Sequence, residues 1–255
     1  MDLNIAIVQC DIVWEDTAKN LGLLNEALGD IHSNVDLVVL PEMFHCGFTM
    51  KPHNNAEGED QEVLNWMKQW ATRIGATVMG SVVVKVESGF VNRLYCVSSQ
   101  EVECYDKRHL FTMGGEHKYY QKGNERIIVE LKGWKICPLI CYDLRFPVWS
   151  RNDCNYDVLV YVANWPAARR DVWNTLLKAR AIENQSYVVG VNRVGHDSSN
   201  TYAGDSQVID AKGQYLTILN EEVQIAYVTL DRSSLSAFRR KFPVLDDRDC
   251  FSVSS

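Results

Sequence analysis

A chain of 255 residues with 46% apolar and 23% charged side chains can bury a sizeable core, which excludes intrinsic disorder. The formal net charge of -7 provides no basic footprint for phosphates or for an anionic membrane surface, and no apolar run approaches the ~18 residues of a membrane span. No nucleic-acid partner and no membrane are therefore expected. Met1-Asp2-Leu3-Asn4 lacks a positively charged leader, so the cytoplasm is the expected compartment and one domain over 1–255 the expected organisation.

Leu3 to Cys10 reads as a buried strand, followed by a helix whose Leu21, Leu24, Leu28 and Ile31 recur at helical spacing behind a cap at Asp16 or Thr17. Val35 to Leu40 is a short β-branched run ending at Pro41, as in a strand covered on both faces, and Glu42 comes next. A second helix is signalled by Val63, Trp66, Met67, Trp70 and Ile74. Strands are then expected at Thr77–Val84, Phe90–Ser98, Glu101–Tyr105, Ile127–Leu131, Trp134–Ile140 and Val158–Val162. A helix from about Asp171 to Asn184 precedes strands at Ser186–Val194, Gln207–Asp210 and Val223–Leu230, and Asp231 is placed to cap a short helix reaching Lys241. No repeat or linker divides the chain, and strands alternating with helices indicate an α/β layered fold.

The eight cysteines are scattered without a C-x-x-C pair, and most are expected to be buried thiols. Cys137, Cys141 and Cys154 lie close in sequence but lack the paired knuckle or nearby histidines that tetrahedral zinc needs, so no metal is expected.

Three segments share an arrangement in which a strand-like run ends at a chemically capable side chain: VVLPEMF, ECYDKRHLF and PLICYDLRF. In α/β sheets, ligand sites collect beyond the carboxyl ends of strands, where Glu42, Lys107 and Cys141 can converge. Attack on an amide carbonyl gives each a task. A thiol with an ordinary pKa near ~8.5 is mostly protonated at neutral pH and needs a base, which Glu42 supplies. Lys107, with a backbone N–H after Cys141, stabilises the oxygen of the tetrahedral intermediate. Taken singly, each has a plainer reading: a solvated loop acid, a surface cation in a charged run and a core cysteine.

PEMF, DKRHLF and ICYDLRFP resemble the three signature segments of the nitrilase, or carbon–nitrogen hydrolase, superfamily, in the same order Glu, Lys, Cys. The similarity runs from NIAIVQCDIVWED through ANWPAARRDVWNTLLKARAIENQSYVVGVNRVG to YAGDSQVIDAKG. It implies a four-layer α-β-β-α sandwich, association through helices into at least a homodimer, and a second glutamate beside the triad, for which Glu116 in MGGEHKYY is the matching position. A glutamate in a Gly-rich loop is otherwise more often solvent-facing. No metal or organic cofactor is implied. DKRHLF, GGEHKYY, CYDLRFPVWSRN and ANWPAARRDVW are most similar to bacterial omega-amidases, which implies small α-keto acid amides such as α-ketoglutaramate and α-ketosuccinamate as substrates.

A dicarboxylic monoamide needs a clamp for its free carboxylate, and Arg145, Arg169 and Arg170 are candidates. Their plainer readings are an ion pair of Arg145 with Asp143 or another acid and a solvated pair, Arg169-Arg170, at a helix start. Phe44, Tyr142, Phe146 and Trp165 flank the motifs as candidate pocket walls or as core. Alternatives stay open: another amide or N-carbamoyl hydrolase using the same triad, a Cys–His arrangement drawing on His32, His45, His53, His109, His117 or His196, and a catalytically silent binding module. With no ATP-using domain attached, a free-standing hydrolase is expected.

Overall fold

The computed structural model describes residues 1–31, 34–58 and 61–253. In chain order the elements are β1 (Leu3–Gln9), α1 (Thr17–Gly29), β2 (Leu37–Val39), α2 (Pro52–Asn55), α3 (Glu62–Ile74), β3 (Thr77–Val86), β4 (Gly89–Val97) and β5 (Val102–Asp106). The second half contributes β6 (Val129–Leu131), β7 (Trp134–Ile140), β8 (Val158–Ala163), α4 (Arg170–Asn184), β9 (Tyr187–Asn192), β10 (Val194–His196), β11 (Thr201–Ala203), β12 (Gln207–Ile209), β13 (Tyr215–Ile218), β14 (Gln224–Leu230) and α5 (Arg232–Lys241).

Alternation along the strands sets the layers. In β1, Leu3, Ile5 and Ile7 join a core shared with β7, β8 and β9, while Ala6 and Val8 join a different core with Leu21, Leu24 and Leu28 of α1 and Met67 and Trp70 of α3. In β2, Leu37 and Val39 face the first core and Val38 the second. The first sheet, ordered β14-β1-β2-β3-β4-β5, is therefore covered by α1 and α3 on one face and by the second sheet, ordered β13-β12-β9-β8-β7-β6, on the other. α4 closes the far side: a Cβ at Gly190 of β9 would meet Leu177 of α4 at 2.5 Å, so only glycine admits the helix so close. The result is the four-layer α-β-β-α sandwich.

Each sheet has a parallel centre, β1-β2-β3 in one and β7-β8-β9 in the other, whose strands read as continuous apolar runs because both faces are covered. Two successive antiparallel pairings, β3 with β4 and β4 with β5, return β5 to the direction of β3. The ends of β2, β5, β7 and β8 thus open on the same edge of the sandwich.

The helix signals hold closely. Asp16 accepts from the Lys19 N–H as the cap of α1, and Asp231 accepts from the N–H groups of Ser233 and Ser234 as the cap of α5. The expected strand Ser186–Val194 is instead broken at Arg193, whose buried guanidinium turns to Asp11 Oδ1 at 2.8 Å and the Ile12 carbonyl at 2.7 Å. β9 stays in the second sheet, and β10 pairs with β11 in a separate hairpin. Among the described residues no helix is long and apolar enough to cross a membrane.

Candidate active site

Two residues past Leu40, Glu42 is fully buried and its carboxylate is held from three sides. Oε1 accepts from Lys107 Nζ at 2.8 Å and from Asn92 Nδ2 of β4 at 2.9 Å, and Oε2 accepts from the Asn164 backbone N–H, just past β8, at 2.8 Å. Charge-assisted bonds of this kind fix the carboxylate in orientation.

Lys107 is the first residue after β5, and its Nζ also donates to both oxygens of Glu116 at 3.0 Å. Burial works against the ammonium, but Glu116, Glu42 and Cys141 outweigh it and raise its pKa above the ordinary lysine range. Glu116 is fully buried, not solvent-facing: its Oε2 also takes the Phe111 N–H at 2.5 Å. Burial raises the Glu116 carboxyl, Lys107 opposes this and Glu42 adds to it.

Cys141 follows β7 directly, with φ at +43°, a left-handed conformation that costs a non-glycine residue on the order of 1–3 kcal/mol. A 3-10 turn, Cys141–Arg145, begins there. Asp143, fully buried inside that turn, holds it in place. Its Oδ2 accepts from the Ile140 N–H at 3.0 Å and from Tyr105 O–H at 2.7 Å, and its Oδ1 accepts from the His109 N–H at 2.9 Å and meets His109 Nδ1 at 2.8 Å. One carboxylate thereby grips the residue before the cysteine and the residues two before and two after Lys107. Burial and then the charge of Glu42 push the Cys141 thiol well up, with Lys107 pulling the other way, so the resting sulfur keeps its proton.

Glu42, Lys107 and Cys141 line one cavity of about 630 Å³. Of the candidate wall residues, Tyr142, Arg145 and Trp165 line it, and Phe44 and Phe146 do not. Met43 takes φ +43°, and Phe44 beyond it packs against Trp66 of α3 and over Gly80. Phe146 stacks on His109, with ring centroids 3.8 Å apart and planes 6° off parallel. The pairing of Arg145 with Asp143 is not formed, because Asp143 is occupied as described; the Arg145 guanidinium lies 5.1 Å over the Trp165 ring. Arg169 also lines the cavity, 5.4 Å over Phe111, whereas Arg170 is engaged by Asp205 at 2.8 and 3.0 Å and by Glu221 at 2.7 Å.

Among the described residues no histidine lines the cavity, as the Cys–His alternative would need. His109 is turned to Asp143, and His45 is buried against the Asn55 carbonyl, its pKa pushed down by burial to about 4. His32 lies outside the described residues. Among the described residues there is no group of three or more His, Cys, Asp or Glu arranged to hold a metal ion. Sequence reasoning missed Asn92, Asn164, Tyr105 and Asp143. Tyr105 in ECYDKRHLF, Asp143 in CYDLRF and Asn164 in ANWPAARRDVW lie inside the quoted segments, whereas Asn92 had no signal.

The carbon-nitrogen hydrolase family profile matches residues 4–240. The sequence is 46% identical over 254 residues to the omega-amidase YafV of Escherichia coli (strain K12), covering 98% of each chain. It is 34% identical over 253 residues to the 2-oxoglutaramate amidase of Bacillus subtilis (strain 168), covering 97% of this chain and 98% of that one. Among solved structures, XC1258 of Xanthomonas campestris, a CN-hydrolase superfamily protein with an arsenic adduct in its active site, superposes with a TM-score of 0.97 at 42% identity over 100% of both chains.

Proposed function

Because the chain belongs to the carbon–nitrogen hydrolase family, we propose that it hydrolyses the ω-amide of small α-keto dicarboxylic acid monoamides, α-ketoglutaramate and α-ketosuccinamate, to the dicarboxylate and ammonia. The observation that carries this reading is the meeting of a proton acceptor, a fixed ammonium and a thiol, each delivered by a different strand end, in one cavity.

Glu42 takes the proton of Cys141 as the sulfur attacks the amide carbon, so no free thiolate has to persist in the buried site. The carbonyl oxygen gains negative charge and is met by Lys107 Nζ and the Tyr142 N–H; one such donor is worth ~3 kcal/mol in the transition state. Glu42 returns the proton to the leaving nitrogen, the C–N bond breaks, and ammonia departs from a thioester on Cys141. Water then gives a proton to Glu42 and its oxygen to the acyl carbon, the C–S bond breaks as Glu42 passes that proton to the departing Cys141 sulfur, and the acid is released as the carboxylate. Glu116 holds Lys107 together with Glu42 and assists in placing the substrate or the water.

The same reading takes 1–255 as a single domain that forms a homodimer or higher homo-oligomer through helices, supported by Ile182 of α4 and Phe242 after α5 being left exposed. Free thiols at all eight cysteines support the cytoplasm. The test is ammonia release across α-ketoglutaramate, α-ketosuccinamate, glutamine, asparagine, a simple nitrile and an N-carbamoyl amino acid. Preference for the keto acid amides is expected. Release of carbon dioxide with ammonia, or preference for the nitrile, would overturn it.

A further inference from the structure

We propose that Arg145 and Arg169 form a carboxylate clamp that admits ω-amides of anionic acids and turns away those carrying an α-ammonium, an inference that rests on the amidase reading above. Both side chains line the cavity that contains Cys141. Each guanidinium lies over an aromatic ring, Trp165 at 5.1 Å and Phe111 at 5.4 Å, and neither has a carboxylate partner among the described residues.

Every other charged side chain lining the cavity is engaged by an ion pair or by hydrogen bonds. Glu42 and Lys107 pair at 2.8 Å, and Lys51 pairs with Glu15 at 2.9 Å. Asp197 accepts from Tyr202 O–H at 2.5 Å and from the N–H groups of Ser199 at 2.7 Å and Asn200 at 2.8 Å. Asp197 keeps its negative charge, but these neutral donors occupy its oxygens, so Arg145 and Arg169 are the two lining cations left without a carboxylate partner among the described residues. Arg170, the third candidate, is engaged by Asp205 and Glu221 and takes no part.

A guanidinium presents parallel N–H groups that match the two oxygens of a carboxylate, and a ring beneath it sets the plane beforehand, so little ordering is left for the substrate to impose. Arg145 stands four residues past Cys141 on the same 3-10 turn, so an acid group bound there leaves the far end of a short chain for attack by the sulfur. A 2-oxo acid offers three oxygens on adjacent carbons. Two satisfy one guanidinium, and the keto oxygen with the nearer carboxylate oxygen faces the other. Replacing the keto oxygen with an ammonium, as in glutamine, sets a third cation beside these two, and a half-enclosed site screens that repulsion weakly.

The experiment compares kcat/KM for ammonia release from α-ketoglutaramate, glutaramate, glutamine and butyramide in wild type, Arg145→Gln, Arg169→Gln, Arg169→Lys and Arg170→Gln. The rate of Cys141 alkylation and far-ultraviolet circular dichroism report whether each variant keeps its site and fold. For either glutamine variant, kcat/KM on glutaramate falls at least ~tenfold, chiefly through KM, and the glutaramate-to-butyramide ratio falls with it. Discrimination against glutamine narrows as well, and Arg169→Lys recovers part of the loss on glutaramate. Equal losses on glutaramate and butyramide, no loss on glutaramate, or the same pattern in Arg170→Gln would overturn the clamp alone. A wild-type protein that releases ammonia from none of the four would overturn the amidase reading and the clamp with it.

Discussion

Replacing Lys107 with methionine keeps the stem and removes the charge that Glu42 and Glu116 share. Nζ lies 2.8 Å from Glu42 and 3.0 Å from Glu116, with all three side chains at most 1% exposed. At an effective dielectric constant of ~20, each contact carries on the order of 5 kcal/mol of Coulomb attraction. Most of this offsets the cost of taking three charges out of water, and breaking such a buried pair from one side leaves a net loss of ~3–5 kcal/mol. The loss has a pH signature. Burial and Glu42 already raise the Glu116 carboxyl, and Lys107 is the strongest influence opposing them, so without it the folded pKa rises further above the unfolded value. A proton then substitutes for the lost ammonium. Stability from a raised carboxyl is fully present below its unfolded pKa and is lost as pH rises through the folded one. The deficit of Lys107→Met against wild type should therefore be largest at pH 8.5 and shrink as the pH falls to 5.5, by no more than about 1.36 kcal/mol per pH unit. Urea unfolding followed by tryptophan fluorescence at three pH values measures the difference. A deficit that is flat with pH, or below ~1 kcal/mol throughout, would refute the buried-triad account.

Cys141→Ala should abolish ammonia release while moving Tm by no more than a few degrees, and an alanine variant with wild-type turnover would sink the assignment of the nucleophile. Because burial and Glu42 push the thiol well up, Cys141 alkylation by iodoacetamide should speed up as pH rises from 6 to 9; a rate already at its plateau at pH 6 would show a preformed thiolate and contradict this. Asp143→Ala strands the Tyr105 hydroxyl and the N–H groups of Ile140 and His109, so a loss of ~3–5 kcal/mol in chemical denaturation is expected, with kcat falling more than KM changes.

Elements with both faces covered were the easiest to read, since β2 and β8 are unbroken apolar runs and β7 is interrupted only at Lys135, and all three end just before a residue of the site. Elements held by a single distant partner were hard to read. Arg193 ends β9 because of Asp11 and Ile12, far away in the chain, and nothing local announces that break. β13 escaped notice because it is an edge strand, with Tyr215, Leu216 and Ile218 exposed and no alternation to mark a buried face. In the site, the three motif residues were legible because each follows a strand. The polar groups that fix them, Asn92 within β4 and Asn164 beyond β8, are ordinary residues in sequence and gain meaning only when the sheets stack.

The two kinds of residue around the cavity stand on different footings. Glu42, Lys107 and Cys141 rest on strand ends locked into the sandwich, whereas Phe111, Met113, Arg169 and Ser198 come from short turns and from the tip of the β10–β11 hairpin, outside the two large sheets. Those turns can be exchanged, lengthened or recharged while the stacked core that delivers the thiol stays as it is. A lineage built this way can acquire new substrates by rewriting a few surface segments, and a protein engineer can do the same, leaving the bond-breaking apparatus as an inherited constant.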